Sequence, residues 1–194
     1  MTRLPAKQLA ILTAARDLFW KHGFRRVRIE EVCEKGKVSK MTFYRYYANK
    51  TELAKAVFER EANIGMIHFR EILQEKSPPA VKIDKLLRMK LEGNKEISQE
   101  FLMDFYKSNE TGLKDFIEEK TRQIWTEILE DFRFAQKKGV FRKDLKPEFL
   151  LYITQQFAGM INDETIMRMY PDPRDMISEM TNFFIYGIAP RTTS

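Results

Sequence analysis

Apolar residues recur every three or four positions through most of this chain, the spacing that lines one face of an α-helix. Leu9, Leu12, Ala15, Leu18 and Phe19 predict a first helix over residues 6–22, ended by Gly23 after Lys21 and His22. Ile29 and Val32, with Cys33 as a small buried filler, predict a second over residues 29–36. A third runs from Ser39 or Lys40 to about Tyr46, with Ser39 as its N-cap and Phe43 inward. Leu53, Val57, Ile64, Ile67 and Ile72 predict a fourth helix from Thr51 to about Gln74. At 1.5 Å per residue it is ~36 Å long, and Ser77-Pro78-Pro79 ends it. Val81, Leu86, Leu87 and Leu91 line a helix over residues 80–93, and Phe101, Leu102, Phe105 and Tyr106 one over residues 98–107. Leu113, Ile117, Ile124, Ile128 and Phe132 form the stripe of a long helix over residues 112–137. Pro147 opens a helix to about Tyr170, and Met176, Ile177, Met180, Phe183, Phe184 and Ile188 define the last, residues 174–188. There is no strand-like alternation and no internal repeat. The expectation is an all-α fold of about nine helices, a three-helix N-terminal module over residues 1–50 and a helical bundle over residues 51–194.

Charge divides the chain at the same place. Residues 1–50 carry twelve Lys/Arg and four acids, net +8, while the remainder is close to neutral at −2. A basic first quarter on a near-neutral body suggests a nucleic-acid module. A membrane-surface module would need one long apolar-faced helix, and this quarter is broken into short pieces.

Two short helices joined by a tight turn, after a longer packing helix, make a helix-turn-helix. In that motif the second helix enters the major groove and its N-terminal residues face the bases. The stretch Val38-Ser39-Lys40-Met41-Thr42-Phe43-Tyr44-Arg45-Tyr46 is dense in cations and hydroxyls. Lys40, Met41, Thr42 and Tyr44 are placed at the bases, and Arg45, Tyr46 and Lys50 near the phosphates. Among them Lys40 and Thr42 are the expected base readers, and Tyr44 and Lys50 the expected backbone anchors.

Other chemistry is sparse. His22, His68 and Cys33 have no zinc spacing, and there is no Gly-rich phosphate loop, nucleophile elbow or Glu-x-x-His pair. Carboxylates are interleaved with Lys and Arg, as on solvated helix faces. The expectation is a binding protein, not an enzyme, with no metal or cofactor. No run of 18 apolar residues exists, a signal-peptide h-region is absent, and Cys33 is the single cysteine, so a cytoplasmic protein away from the membrane is expected.

Residues 9–53 resemble the DNA-binding domain of the TetR family of transcriptional regulators. The shared features are Ile11-Leu12-x-Ala14-Ala15, Leu18-Phe19, Gly23-Phe24, Ile29-x-x-Val32, Val38-Ser39-Lys40, Thr42-Phe43-Tyr44 and Tyr47-x-Asn49-Lys50-x-x-Leu53. The resemblance implies a homodimeric helical repressor of a double-stranded DNA operator, released by a small ligand bound in the C-terminal domain, with the fourth helix as lever. A protein of the same fold governed by a protein partner or by no ligand, acting in chromosome or division control, remains open beside it.

Three positions depart from the family pattern. Arg28 stands where a capping Thr or Ser is usual, which loses ~1 kcal/mol of capping and puts a cation where the family commonly contacts phosphate. Lys37 replaces the usual glycine, with Gly36 expected to absorb the left-handed turn. Met41 replaces a frequent Gly or Pro and could meet a thymine methyl; Ser39 completes the DNA-facing set. For the implied ligand, hydrophobic or aromatic, Phe101, Phe105, Tyr106, Trp125, Ile128, Phe132, Phe157 and Met160 are the pocket candidates; each taken singly reads first as core, and it is the resemblance that implies a pocket for the set. Asp104, Glu127 and Asp163 are the acids that could turn inward. The last two helices are the expected dimer interface, through Phe157, Gly159, Met180 and Phe184.

Overall fold

The structure is a computed structural model that describes the backbone of residues 4–95, 98, 100, 101, 104, 112–160 and 163–190. Among the described residues there are nine helices and no strand: α1 (Ala6–His22), α2 (Ile29–Lys35), α3 (Lys40–Tyr46), α4 (Lys50–Gln74), α5 (Pro79–Lys95), α6 (Leu113–Lys137), α7 (Pro147–Met160), α8 (Glu164–Met169) and α9 (Pro173–Ile188). None of them is long and apolar enough to cross a membrane. The predicted 98–107 helix falls largely outside the described residues.

The chain forms two compact units that are interleaved along the sequence. One takes residues 1–63 and 96–120, the other residues 64–95 and 121–194. The core of the first unit is Ile11, Leu12, Ala15, Phe19, Val32, Phe43, Leu53 and Val57 with Leu113 and Ile117. Its helices α1, α2 and α3 pack on one another around Phe43, which is fully buried. Leu9, predicted inward, is exposed. The buried stripe of α1 runs instead through Ile11, Leu12, Ala14, Ala15 and Phe19, and its continuation toward the N-terminus falls on Gln8, so Leu9 stands one position past it. In the second unit Leu73, Ile83, Leu86, Phe132, Phe141, Leu150, Ile185 and Ile188 form the core. There α9 packs along α5, and the Phe132 and Phe141 rings stack at 4.4 Å.

Two further differences have local causes. Val81 is exposed because the neighbouring inward slot belongs to Lys82, whose buried Nζ donates to Leu73 O at 2.6 Å. That bond satisfies a carbonyl in the last turn of α4, a group with no partner inside its own helix. The predicted 147–170 helix is two helices. Asp163 accepts from Thr165 N and Ile166 N at 2.8 and 3.1 Å, so it starts α8 instead of continuing α7.

Candidate nucleic-acid interface

The recognition segment is built from the turn outward. Ser39 Oγ accepts from Thr42 N at 3.1 Å and lies 3.0 Å from Thr42 Oγ1, so it closes the first turn of α3. Phe43 seats the helix from below, with the Tyr44 ring edge-on at 5.3 Å and Tyr47 at 6.0 Å. The opposite face of α3 is open: Met41 is 83% exposed, Tyr44 54%, and Lys40 and Arg45 are exposed beside them. Exposed Arg28 and Lys37 flank it at the two ends of α2. A basic, partly apolar surface therefore stands on a helix seated in the first core by Phe43.

The turn before α3 differs from expectation. Gly36 is right-handed at φ −79°, and Lys37 itself takes the left-handed conformation at φ 52°. Gly36 is small for another reason. A Cβ there would lie 3.0 Å from Val32 O and 3.3 Å from Ala10 O, so glycine permits the close approach of α2 to α1. Arg28 is the N-cap of α2 with extended backbone, and its N–H donates to Glu31 Oε2 at 2.7 Å. This is half of a capping box, because a guanidinium has no acceptor to return the bond.

Lys50 is the largest correction. Its Nζ donates to Phe24 O, Arg25 O and Val27 O at 2.9, 3.0 and 3.1 Å, and sits 4.6 Å from the Phe24 ring centroid. Those bonds hold the loop between α1 and α2, which is not the phosphate-anchoring role expected for Lys50. The same loop is gripped by Asp104, whose Oδ2 accepts from Arg25 N at 2.8 Å. Gly23, at φ 78°, leaves room for that carboxylate, since a Cβ would lie 2.6 Å from Asp104 Oδ2. Two more expected contacts are redirected. Tyr46 is half-buried against the first core, and Thr42 spends its hydroxyl on Ser39. Lys40 remains exposed, with its Nζ 2.5 Å from Glu30 Oε1. Sequence reasoning missed Glu30 and the loop-holding roles of Asp104, named only as a possible inward acid, and of Lys50. None of the three is signalled in the sequence: Glu30 is one of an adjacent pair with Glu31 and reads like any solvated helix acid.

The expected ligand residues that the structure describes are divided between the two compact units. Phe101 belongs to the first unit, where it packs on Trp20 at 4.5 Å and lines a cavity with Phe19, Phe24, Phe58 and Asp104. That cavity is about 30 Å³, room for a water molecule or two and too small for an organic ligand. Phe132 is committed to the second core through Phe141, whereas Trp125, Ile128 and Met160 are half-buried in the second unit. Phe105 and Tyr106, and the side chains of Phe157 and Gly159, lie outside the described residues. Of the three acids, Glu127 joins Asp131 around Arg70 (3.3 and 2.7 Å), Asp104 holds Arg25, and Asp163 caps α8. On α9 Phe184 is half-buried against the second core and Met180 is half-buried, while Phe183 (73%) and Tyr186 (68%) are the exposed aromatics.

Residues 11–57 match the family described as bacterial regulatory proteins, tetR family. The chain is 33% identical over 94 residues to the HTH-type transcriptional regulator RutR of Escherichia coli K12, a match covering 48% of this chain. It spans 44% of the length of that relative. It is 21% identical over 164 residues to the HTH-type transcriptional regulator UidR of the same organism, covering 81% of this chain and 83% of UidR. Among solved structures, the fatty acid degradation regulator FadR from Bacillus halodurans is similar in fold, with a TM-score of 0.66 at 15% identity over 95% of this chain and 97% of that one.

Proposed function

We propose that this chain, whose residues 11–57 place it in the tetR family of bacterial regulatory proteins, is a cytoplasmic DNA-binding transcriptional regulator that represses by occupying an operator. The observation that carries this reading is the open face of α3, Lys40, Met41, Tyr44 and Arg45 standing on a buried Phe43. With α3 in the major groove, Lys40 reaches guanine O6 or N7 and Met41 packs on a thymine methyl. Tyr44, Arg45 and Arg28 hold phosphates, which sets register without reading sequence. No step of covalent chemistry is required.

The regulator works as a homodimer, one copy per half-site, with half-sites about 34–36 Å apart or a multiple of that. The exposed aromatics of α9, Phe183 and Tyr186, and of α7, Phe149 and Tyr152, supply an apolar surface for a second copy. Residues 51–194 carry dimerisation and a site for a small hydrophobic or aromatic molecule, with Trp125, Ile128 and Met160 as its candidates. A ligand that favours the wrong half-site separation needs a coupling of only ~1–3 kcal/mol to weaken operator binding 5–150-fold.

Selection of genomic fragments on the immobilised protein, repeated with candidate ligands, tests the whole reading. A recovered fragment should contain an inverted repeat, and one ligand class should release it while changing Trp125 fluorescence in a Trp20→Phe background. Recovery of fragments without a shared sequence would overturn the operator reading.

A further inference from the structure

We propose that Glu30 sets the sequence discrimination of this interface by holding Lys40 in an ion pair that only a base contact replaces. The inference rests on the reading of α3 as the DNA-facing helix. Lys40 is the first residue of α3, and Glu30 lies in the first turn of α2. Their charged ends are 2.5 Å apart, both side chains more than half exposed, so the pair sits on the surface that meets the duplex. Each group reinforces the ionised form of the other: the hydrogen bond from Lys40 lowers the Glu30 carboxyl below its ordinary range, and the bond to Glu30 raises the Lys40 ammonium. Arg28, Tyr44 and the buried Cys33 are the other side chains that act on the pair.

An acid at this place acts unequally on random and specific DNA. Binding to random duplex is driven by release of counterions as cations neutralise phosphates. Lys40 can join that process only by leaving Glu30, which then brings an uncompensated carboxylate close to the phosphates. The pair as a whole adds no cation to random binding. At a site that presents guanine O6 and N7, the ammonium exchanges one acceptor for two, and the cost is offset. Glu30 therefore subtracts from the sequence-independent term and leaves the base-dependent term in place.

The experiment compares wild type, Glu30→Gln, Lys40→Ala and the double variant. Each is titrated with the tightest recovered genomic fragment and with a shuffled duplex of equal length and composition, over a salt series. Melting by circular dichroism confirms folding, and both side chains are exposed enough for each variant to fold. On shuffled DNA, Glu30→Gln should steepen the log–log salt slope by about 0.9, which is about 3.5-fold more affinity lost between roughly 50 and 200 mM salt. On the recovered fragment the slope should change less, so the ratio of specific to random affinity falls. In the Lys40→Ala background, Glu30→Gln should relieve the same repulsion on both duplexes and no longer alter the ratio of specific to random affinity. The proposal is overturned if Glu30→Gln tightens both duplexes equally, or if its effect on the ratio of specific to random affinity persists without Lys40. Wild-type protein that retains no duplex would overturn the operator reading and this inference together, whereas equal tightening would overturn this inference alone.

Discussion

Replacing Lys50 with Ala separates two roles that one lysine could have at this position. In the structure its ammonium donates three hydrogen bonds, at 2.9, 3.0 and 3.1 Å, to carbonyls of residues 24, 25 and 27, and lies over the Phe24 ring. A hydrogen bond with one charged partner contributes about 1.5–3 kcal/mol and an exposed cation–π contact about 0.5–1 kcal/mol. The bonds share one donor and the Arg25 carbonyl can return to water, so the sum is well below additive; a loss of about 2–4 kcal/mol is the expected result. For a chain of this size that lowers the melting temperature by about 5–15 °C. The loop carries Arg25, Arg26 and Arg28, so DNA binding should weaken on every sequence, with the salt slope near that of wild type. Lys50→Arg should restore little, because a planar guanidinium cannot turn its donors toward three carbonyls converging on one point. Thermal melts and salt-dependent titrations check both. Unchanged stability with a salt slope reduced by about 0.9, rescued by Arg, would show that Lys50 contacts phosphate and would refute the structural assignment.

Lys37→Gly should stabilise the protein by about 1 kcal/mol, since a side chain held at φ 52° carries the left-handed penalty that glycine lacks; an unchanged or lower denaturation midpoint would contradict it. Gly23→Ala should cost about 2–3 kcal/mol, from φ 78° and from displacement of the Asp104 carboxylate off Arg25 N, read by urea unfolding. Phe183→Asp should give a folded monomer in sedimentation that no longer binds the recovered fragment, while Phe184→Asp should chiefly lower stability because that ring packs on the second core. A Phe183→Asp protein that still sediments as a dimer would move the interface elsewhere.

Periodicity alone determined the all-helical fold and located most of the helices, because a 3.6-residue repeat is a local property of the chain. Local chemistry likewise placed Ser39 as the cap of α3 and Phe43 beneath it, and so the open face at Lys40, Met41, Tyr44 and Arg45. What the tertiary structure decided lies in contacts between residues distant in sequence. Lys50 reaches carbonyls 23 to 26 residues back, and Asp104 accepts from the N–H of Arg25 across 79 residues. A lysine in a basic segment reads the same in sequence whether its partner is a phosphate or a carbonyl. Val81 and Lys82 show the same limit: hydropathy puts valine inward, but an unpaired carbonyl at the end of α4 gives the inward slot to the lysine. Asp163 starts a new helix within what the apolar stripe reads as one, because its carboxylate accepts two backbone N–H groups of the new first turn. In each case the deciding group is a backbone donor or acceptor that must find a partner once buried or at a helix end. Where that partner stands is set only when the chain has folded.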